Sequence, residues 1–91
     1  MVYIHLRVNV ADYDTWRAGF DANESNRKSA GSTGANQFYR DIDNPNNVTL
    51  VMEWDEADKA QAFLNDPRTK ESMDAAGVTG RPMVVAVQTK V

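Results

Sequence analysis

Three side chains in the first third of the chain are of types that could take part in acid–base chemistry or ligand binding. His5 is the only histidine, and histidine is the side chain that changes charge nearest to neutral pH. Asn23 and Arg27 are one helical turn apart and, at about 100° per residue, lie on the same side of a helix as Trp16. An amide and a guanidinium on an otherwise apolar stripe need partners if they are covered. The spacing predicts a polar pocket at one end of the core, where a ligand or His5 could be that partner.

A second candidate is Glu53, an acid inside a strand-like run. If the first and third strands are neighbours, His5 or Arg7 could lie opposite Glu53. One interpretation is a cross-strand ion pair within a dimer interface. The other is a general base or tuned acid in a cavity. The aromatic residues Trp16, Phe20 and Trp54 have two interpretations as well, as parts of a small core or as walls of a pocket.

Several kinds of site are excluded by the residues present. The chain has no cysteine, so disulfides, thiolate metal sites and cysteine nucleophiles are ruled out. The stretch that contains Asp41, Asp43 and Asn46 resembles the start of a calcium loop, but it has neither the glycine nor the bidentate glutamate that such a loop needs. Gly31-x-x-Gly34 lacks the lysine of a phosphate-binding loop. We therefore expect no metal and no cofactor.

Length and charge limit the class of protein. Ninety-one residues with 42% apolar content fit one globular domain, spanning residues 1–91. A net charge of −3, without a basic cluster, argues against a nucleic-acid surface. No signal peptide, transit peptide or membrane-spanning run is recognisable, so we expect no membrane partner and a cytoplasmic protein.

Alternating apolar and polar residues predict strands. In the first and third of four strand-like runs, apolar side chains occupy every second position. The stretch from Asp43 to Asn47 is rich in turn formers and predicts a hairpin loop between the second and third runs. The four runs are Val2 to Val10, Asn36 to Ile42, Val48 to Trp54 and Met83 to Thr89.

Two helical regions lie between these strands. The first is predicted as one helix from a cap at Asp12 to Ala30. The second begins after a cap at Asp55, is interrupted at Asp66-Pro67, and continues as a short helix to Ala76. The order β-α-β-β-α-β, with the second helix broken in two, predicts an α+β ferredoxin-like fold. Its four-stranded antiparallel sheet would carry the helices on one face.

The second face of that sheet is also partly apolar. In the last strand the alternation places Met83, Val85 and Val87 on one face and Val84 and Ala86 on the other. A monomer with helices on one side should show mainly polar residues on the other. We therefore expect a second copy of the chain to cover this face through a two-fold contact, which makes the protein a homodimer.

Several segments carry a resemblance to a known group of proteins. They are Val10-Ala11-Asp12-Tyr13-Asp14-x-Trp16, Phe20-Asp21-Ala22, Arg27-Lys28-x-Ala30-Gly31, Arg40-Asp41-x-Asp43-Asn44-Pro45-Asn46 and Glu53-Trp54. Together they resemble the dimeric α/β-barrel superfamily, in the neighbourhood of the antibiotic biosynthesis monooxygenase-like and polyketide cyclase-like domains. The resemblance implies two βαββαβ subunits whose sheets close into a barrel, with a pocket between sheet and helices in each.

The resemblance further implies a small-molecule-binding homodimer, possessing cofactor-independent monooxygenase or cyclase activity on an aromatic or polyketide-like substrate. In such an enzyme His5 would accept a proton or donate a hydrogen bond, and Asn23 and Arg27 would stabilise a developing oxyanion. The expected ligand-binding residues are Trp16, Phe20, Arg7, Glu53 and Trp54. Alternatives are a non-catalytic ligand-binding or stress-related dimer and a purely structural domain.

Two departures from relatives narrow this expectation. Haem-degrading relatives place a tryptophan and a histidine in the second helical region, and the stretch from Phe63 to Ala76 contains neither. Close relatives often have histidine at the position of Asn23. If that histidine is catalytic in them, the same chemistry is altered or lost here.

Overall fold

The computed structural model describes all 91 residues, Met1 to Val91, and shows a strand, two helices, two strands, two helices and a final strand. The elements are β1 (Val2–Val10), α1 (Tyr13–Ala22), α2 (Glu24–Ala30), β2 (Ser32–Arg40), β3 (Asn47–Trp54), α3 (Ala57–Asn65), α4 (Pro67–Ala75) and β4 (Val78–Thr89). The strands form one antiparallel sheet in the order β2-β3-β1-β4. The predicted α+β ferredoxin-like fold is confirmed.

The core lies between the helices and one face of the sheet. The alternation in β1 and β3 places every second side chain on this face, and α1 and α3 cover them. Trp54, Ile4 and Met52 are at most 1% exposed. The buried apolar residues are Ile4, Leu6, Val8, Val10, Trp16, Phe20, Val48, Leu50, Met52, Trp54, Ala60 and Val78.

The first helical region is two helices, whereas the sequence predicted one. The break lies at Asn23, whose backbone has φ −96° and ψ 9°. The side-chain Nδ2 of Asn23 donates to the carbonyl oxygen of Gly19, 3.0 Å away. Asparagine competes for backbone partners in this way, and it is therefore common at helix ends. Asn23 and Arg27, which the sequence placed at the polar end of the first helix, thus belong to the start of a separate short helix.

The start of α3 differs from the prediction by one residue. The N-cap is Glu56, not Asp55. The backbone N–H of Asp55 donates to the carbonyl oxygen of Gly31 at 2.9 Å, and this bond holds Asp55 at the end of the sheet. The Asp55 carboxylate instead accepts a hydrogen bond from Lys59. Asp66 does cap α4, because its side chain accepts from the backbone N–H of Arg68.

Two strands begin earlier than the sequence predicted. β2 starts at Ser32, which pairs with Trp54, and it ends at Arg40 rather than at Ile42. β4 starts at Val78, which pairs with Val10. Both added segments contain glycines with positive φ and irregular register, features that break the alternation by which strands are recognised in a sequence.

The predicted alternation along β4 is wrong because the strand contains a register shift. Met83 lies opposite Arg7, whereas Val87 lies opposite Ile4 and packs against the core. The shift falls between His5 and Leu6 and leaves Val85 as an extra residue in β4. Met83 and Val87 therefore lie on opposite faces of the sheet.

The face of the sheet that points away from the helices is uncovered in this single chain. Tyr39 and Met83 lie on this face, because both are in register with Arg7 across the sheet, and they are 55% and 61% exposed. Exposed large apolar side chains thus occur at both edges of the face, on β2 and on β4, and such surface often marks an interaction site. We call this surface the open face. None of the helices is both long and apolar enough to cross a bilayer.

Candidate ligand-binding site

A cavity of about 410 Å³ lies between the helices and the sheet. Its floor is made by core side chains of β1 and β3, and α1, α2 and α4 form its walls. The volume lies within the range of about 300–1,000 Å³ that is typical of small-molecule sites. The lining residues are Leu6, Val8, Trp16, Gly19, Phe20, Asn23, Asn26, Arg27, Ser29, Ala30, Leu50, Met52, Phe63, Asp66, Arg68, Thr69, Ser72, Met73 and Ala76.

Aromatic rings make one wall of the cavity. Trp16 and Phe20 of α1 have ring centroids 5.5 Å apart, and both line the cavity. Phe38 of β2 supports them from behind, with its ring edge-on to Phe20 at 5.2 Å. This packing fixes the orientation of both rings, because tilted and edge-to-face arrangements are the favoured aromatic geometries. The wall suits a planar apolar ligand.

Arg27 is the buried cation of the site. Its side chain is only 5% exposed, and the guanidinium lies over the Phe20 ring at 3.4 Å from the ring centroid. Nη1 donates to the Phe20 carbonyl oxygen at 2.6 Å, whereas Nε is buried without a hydrogen-bond partner. Burial lowers the pKa of Arg27, and the carboxylates of Glu24 and Asp21 oppose that shift. The predicted polar pocket at the end of the stripe therefore contains an incompletely paired charge.

Asn23 also lines the cavity, but its amide has partners within the helices. Nδ2 donates to the Gly19 carbonyl oxygen, and Oδ1 accepts from Nδ2 of Asn26 at 3.3 Å. A primary amide has two N–H donors, so one N–H of Asn23 remains for a ligand. The partners of Asn23 are therefore the Gly19 carbonyl oxygen and the Asn26 amide at the helix break, and no contact with His5 is made.

The first turn of α4 supplies the polar part of the opposite wall. The Asp66 carboxylate forms an ion pair with Arg68 at 2.7 Å, and this contact lowers the pKa of Asp66. Thr69 Oγ1 donates to the Phe63 carbonyl oxygen at 2.7 Å, and Ser72 lies one turn further along. These side chains surround the cavity with hydrogen-bonding groups at its rim.

One end of the cavity is closed by a close approach of α1 to the end of α4. Gly19 and Ala76 meet there, and both line the cavity. A Cβ atom on Gly19 would lie 2.9 Å from the Cβ of Ala76, which is closer than two carbon atoms pack. The absence of a side chain at Gly19 therefore determines how closely the two helices approach.

His5, Arg7 and Glu53 do not belong to this cavity, which corrects the predicted grouping of His5 with Asn23 and Arg27. In β1 the even-numbered side chains from Ile4 to Val8 are buried against the helices, so His5 and Arg7 point to the open face. His5 lies opposite Val51 and lines a second, shallower cleft there together with Glu53. The sheet separates the only histidine from Arg27.

The acids of the open face are held by partners other than those predicted. Glu53 lies opposite Tyr3, and its carboxylate accepts from Tyr3 Oη at 2.9 Å and from Thr33 Oγ1 at 2.8 Å. These two hydrogen bonds lower the pKa of Glu53. Arg7 forms an ion pair with Asp41 at 2.8 Å, which lowers the pKa of Asp41. Both carboxylates are therefore ionised near neutral pH, and both have hydrogen-bond partners within the chain, which is typical of groups that stabilise the structure.

Of the aromatic residues expected to bind ligand, Trp16 and Phe20 line the cavity, whereas Trp54 packs in the core beside it. Trp54 is completely buried, with its ring 4.6 Å from that of Phe63 and its Nε1 donating to the Ala30 carbonyl oxygen at 3.3 Å.

Several lining residues were not among the sequence candidates. Asn26 lies about 60° from Asn23 around a helix, so helical periodicity could have found it, whereas Ser29 lies on the other side of the helix from Arg27 by the same rule. Thr69 and Ser72 line the cavity because α4 packs beside it, and the sequence does not specify where α4 packs. No group of three or more His, Cys, Asp or Glu side chains is arranged to hold a metal ion.

The whole chain superimposes on solved antibiotic biosynthesis monooxygenases. One solved structure described simply as an antibiotic biosynthesis monooxygenase is 11% identical, with a TM-score of 0.67 over 100% of this chain and 99% of the other. A Bordetella bronchiseptica protein provisionally assigned to that function is 20% identical, with a TM-score of 0.76 over 99% and 96% of the chains. The chain has the fold of the antibiotic biosynthesis monooxygenases.

A third structure with this fold is SnoaB, described as a cofactor-independent oxygenase from Streptomyces nogalater. It is 15% identical, with a TM-score of 0.68 over 99% of this chain and 95% of that one. No protein-family model and no curated protein matches the chain. The resemblance inferred from the sequence is thus confirmed for the fold, and fold alone does not specify an activity.

Proposed function

We propose that the chain binds a small aromatic or polyketide-like molecule in the cavity between helices and sheet and oxidises it as a cofactor-independent monooxygenase. The observation that carries this proposal is the combination of a hydrophobic floor, an aromatic wall and the buried Arg27 around one cavity of ligand size. SnoaB, which shares the fold, is described as a cofactor-independent oxygenase, and this supports the reaction class.

The reaction requires the substrate to supply the electrons. A phenol or enol of the substrate loses its proton to water, because the cavity has no unpaired base, and the adjacent carbon becomes electron-rich. That carbon transfers two electrons to O₂ and forms a C–O bond, and the terminal oxygen of the peroxide takes up a proton from water. The resulting hydroperoxide loses water and leaves a new carbonyl group, so that one O₂ gives one product and one water. The protein must then stabilise the oxyanion of the ionised substrate, which is electrostatic stabilisation by fixed donors.

Two side chains of the cavity can stabilise that oxyanion. Arg27 offers unused N–H donors and a positive charge in a site that is shielded from water. Asn23 offers its one remaining amide N–H. Trp16 and Phe20 would hold the substrate ring against the wall. His5 is not part of this proposal, because it lies on the other face of the sheet.

Oxygen consumption tests the proposed reaction. With dihydroxynaphthalene and anthrone-type substrates, we expect uptake of one O₂ per product and no release of hydrogen peroxide. Arg27→Gln should lower the rate by about 10²–10³-fold, as loss of an oxyanion donor does. Arg17→Gln is the matched control, because Arg17 also stacks on a phenylalanine but does not line the cavity. Unchanged turnover in Arg27→Gln would contradict the role of Arg27.

A non-catalytic ligand-binding protein is the second candidate. It is favoured by one observation: no histidine lines the cavity, and the carboxylate that does, Asp66, is paired with Arg68 and is a weak base. If no member of the substrate panel consumes oxygen while aromatic ligands still bind, the chain is this binder and the monooxygenase proposal is wrong.

We also propose that two copies of the chain associate through their open faces. Tyr39 and Met83 expose apolar surface there, and the charges of Arg7 and Glu53 on the same face already have partners. A two-fold contact would cover this surface on both copies at once. A chain of this length also buries a small core, so association adds to its stability.

Analytical ultracentrifugation tests the association. At micromolar concentration we expect twice the monomer mass of 10.2 kDa. Met83→Lys should raise the dissociation constant by at least about 100-fold, because a two-fold interface buries the new charge twice. Val91→Lys is the matched control, since Val91 is exposed at the chain end outside β4. A wild-type chain that sediments as a monomer would contradict the proposed dimer.

A further inference from the structure

Arg27 is a buried charge that forms no direct ion pair within the chain. Its guanidinium forms one hydrogen bond, to the Phe20 carbonyl oxygen, and Nε has no partner. That carbonyl also accepts the backbone N–H of Asn23 at 3.1 Å, so it does not need the arginine. Moving a cation out of water costs on the order of several kcal/mol unless it is paired. The free chain therefore carries an energetic cost at this position.

The acidic residues nearest to Arg27 along the helices are engaged with other cations. Glu24 pairs with Lys28 at 3.6 Å, and Asp21 pairs with Arg17 at 3.1 Å. Arg27 itself forms no salt bridge, in contrast to Arg7, Arg17 and Arg68. Glu24 and Asp21 act on Arg27 only from a distance, and no carboxylate of the chain is hydrogen-bonded to its guanidinium.

The surroundings of Arg27 restrict the shape of such a partner. The guanidinium carbon lies 3.4 Å from the centroid of the Phe20 ring, so the N–H groups of Arg27 lie at the edge of the aromatic wall. Trp16 provides a second ring beside it, and Leu50 and Met52 form an apolar floor. Arg68, the other cation of the cavity, is already neutralised by Asp66. One uncompensated positive charge matches one negative charge on the ligand.

The geometry points to Arg27 as an anion receptor, so that the ligand of this cavity is a planar, mostly apolar molecule carrying a single anionic oxygen group such as a carboxylate, phenolate or enolate. The anionic oxygens accept N–H bonds from Arg27, and the conjugated rings pack against Trp16 and Phe20. This inference rests on the proposed ligand site and specifies its substrate class. It holds for a catalytic and for a non-catalytic protein alike.

Calorimetric titration with two ligands of the same shape tests the inference without relying on turnover. The probes are 2-naphthoate, which is an anion at pH 7, and 2-naphthamide, which is neutral. We expect the full-length wild type to bind the naphthoate at least about tenfold more tightly, which corresponds to about 1.4 kcal/mol. Arg27→Gln should bring the two affinities within about twofold of each other, mainly by weakening the binding of the naphthoate.

Two further variants separate the charge of Arg27 from other charges. Arg17→Gln removes a cation that stacks on Phe38 outside the cavity, and it should keep the preference for the anion. The double variant Asp66→Asn/Arg68→Gln removes the ion pair of the rim without leaving an unpaired carboxylate, and it should also keep the preference. A preference that survives Arg27→Gln, or that disappears in the double variant, would overturn the assignment to Arg27.

The remaining outcomes distinguish this inference from the proposed function. Equal affinity of the wild type for naphthoate and naphthamide would overturn the anion receptor and leave the cavity as a site for neutral aromatic molecules. Failure of both probes to bind at millimolar concentration would overturn the receptor and the proposed ligand site together. Binding of the anion without oxygen consumption by any substrate would support the receptor and remove only the monooxygenase.

Discussion

Trp54→Ala is expected to lower the free energy of unfolding by about 3–5 kcal/mol, the range for truncation of a large buried aromatic side chain. Trp54 is completely buried at the end of β3, and its ring packs on Phe63 of α3 at 4.6 Å. Its Nε1 also donates to the Ala30 carbonyl oxygen at the end of α2. The side chain therefore joins the sheet to both helical regions, and no neighbouring group can fill the space that it leaves.

Urea denaturation measures this effect, and Trp16 remains as the fluorescent probe because the chain has two tryptophans. Trp54→Phe is the matched variant. It keeps most of the apolar volume but loses the hydrogen bond to Ala30. It should lower the free energy of unfolding by about half as much as Trp54→Ala does. If the alanine variant does not fold, the phenylalanine variant still gives a measurable loss. A loss below about 1 kcal/mol in Trp54→Ala would contradict this account of the core.

Arg27→Met is expected to raise the free energy of unfolding by about 1–2 kcal/mol, since apolar replacement of a buried charge is often stabilising. Methionine fills a similar volume and needs no hydrogen-bond partner. The Phe20 carbonyl oxygen keeps the N–H of Asn23 as its donor. The stacking energy lost between the guanidinium and Phe20, about 0.5–2 kcal/mol, offsets part of the gain.

The same denaturation experiment on Arg17→Met provides the control. Arg17 is about two-fifths exposed and pairs with Asp21, so its replacement should give no increase in stability. Measurements of all variants at one protein concentration keep any effect of association constant. If Arg27→Met instead lowers stability by more than about 1 kcal/mol, Arg27 holds the structure together and its role as a ligand receptor is contradicted.

The parts of the fold that follow from local alternation were predictable from the sequence. In β3 the buried residues Val48, Leu50, Met52 and Trp54 occupy every second position, as the pattern predicts. The pattern failed where the backbone is irregular. The register shift in β4 depends on pairing with β1, which is distant in the sequence, and no local preference encodes it. The helix break at Asn23 uses a local hydrogen bond, but asparagine only favours a helix end and does not require one.

The candidate site was predictable in one half only. Trp16, Phe20, Asn23 and Arg27 lie on the walls of one cavity because they share a helical stripe, and helical spacing is visible in a sequence. His5 was grouped with Asn23 and Arg27, and this was wrong, because its placement depends on combining the alternation in β1 with the side of the sheet on which the helices pack. The residues of α4 could not be placed, since the direction of a helix after a break such as Asp66-Pro67 depends on tertiary packing.

The contact between Gly19 and Ala76 makes the size of the cavity open to evolutionary adjustment. Glycine and alanine codons differ by a single base, so one mutation at position 19 adds a methyl group where there is no room for it, and α1 and α4 must move apart. The buried side chains of β1 and β3 are not involved in that contact. Natural selection could therefore change the ligand that descendants of this chain accept through small steps at one helix crossing, while the sheet that carries the fold stays the same.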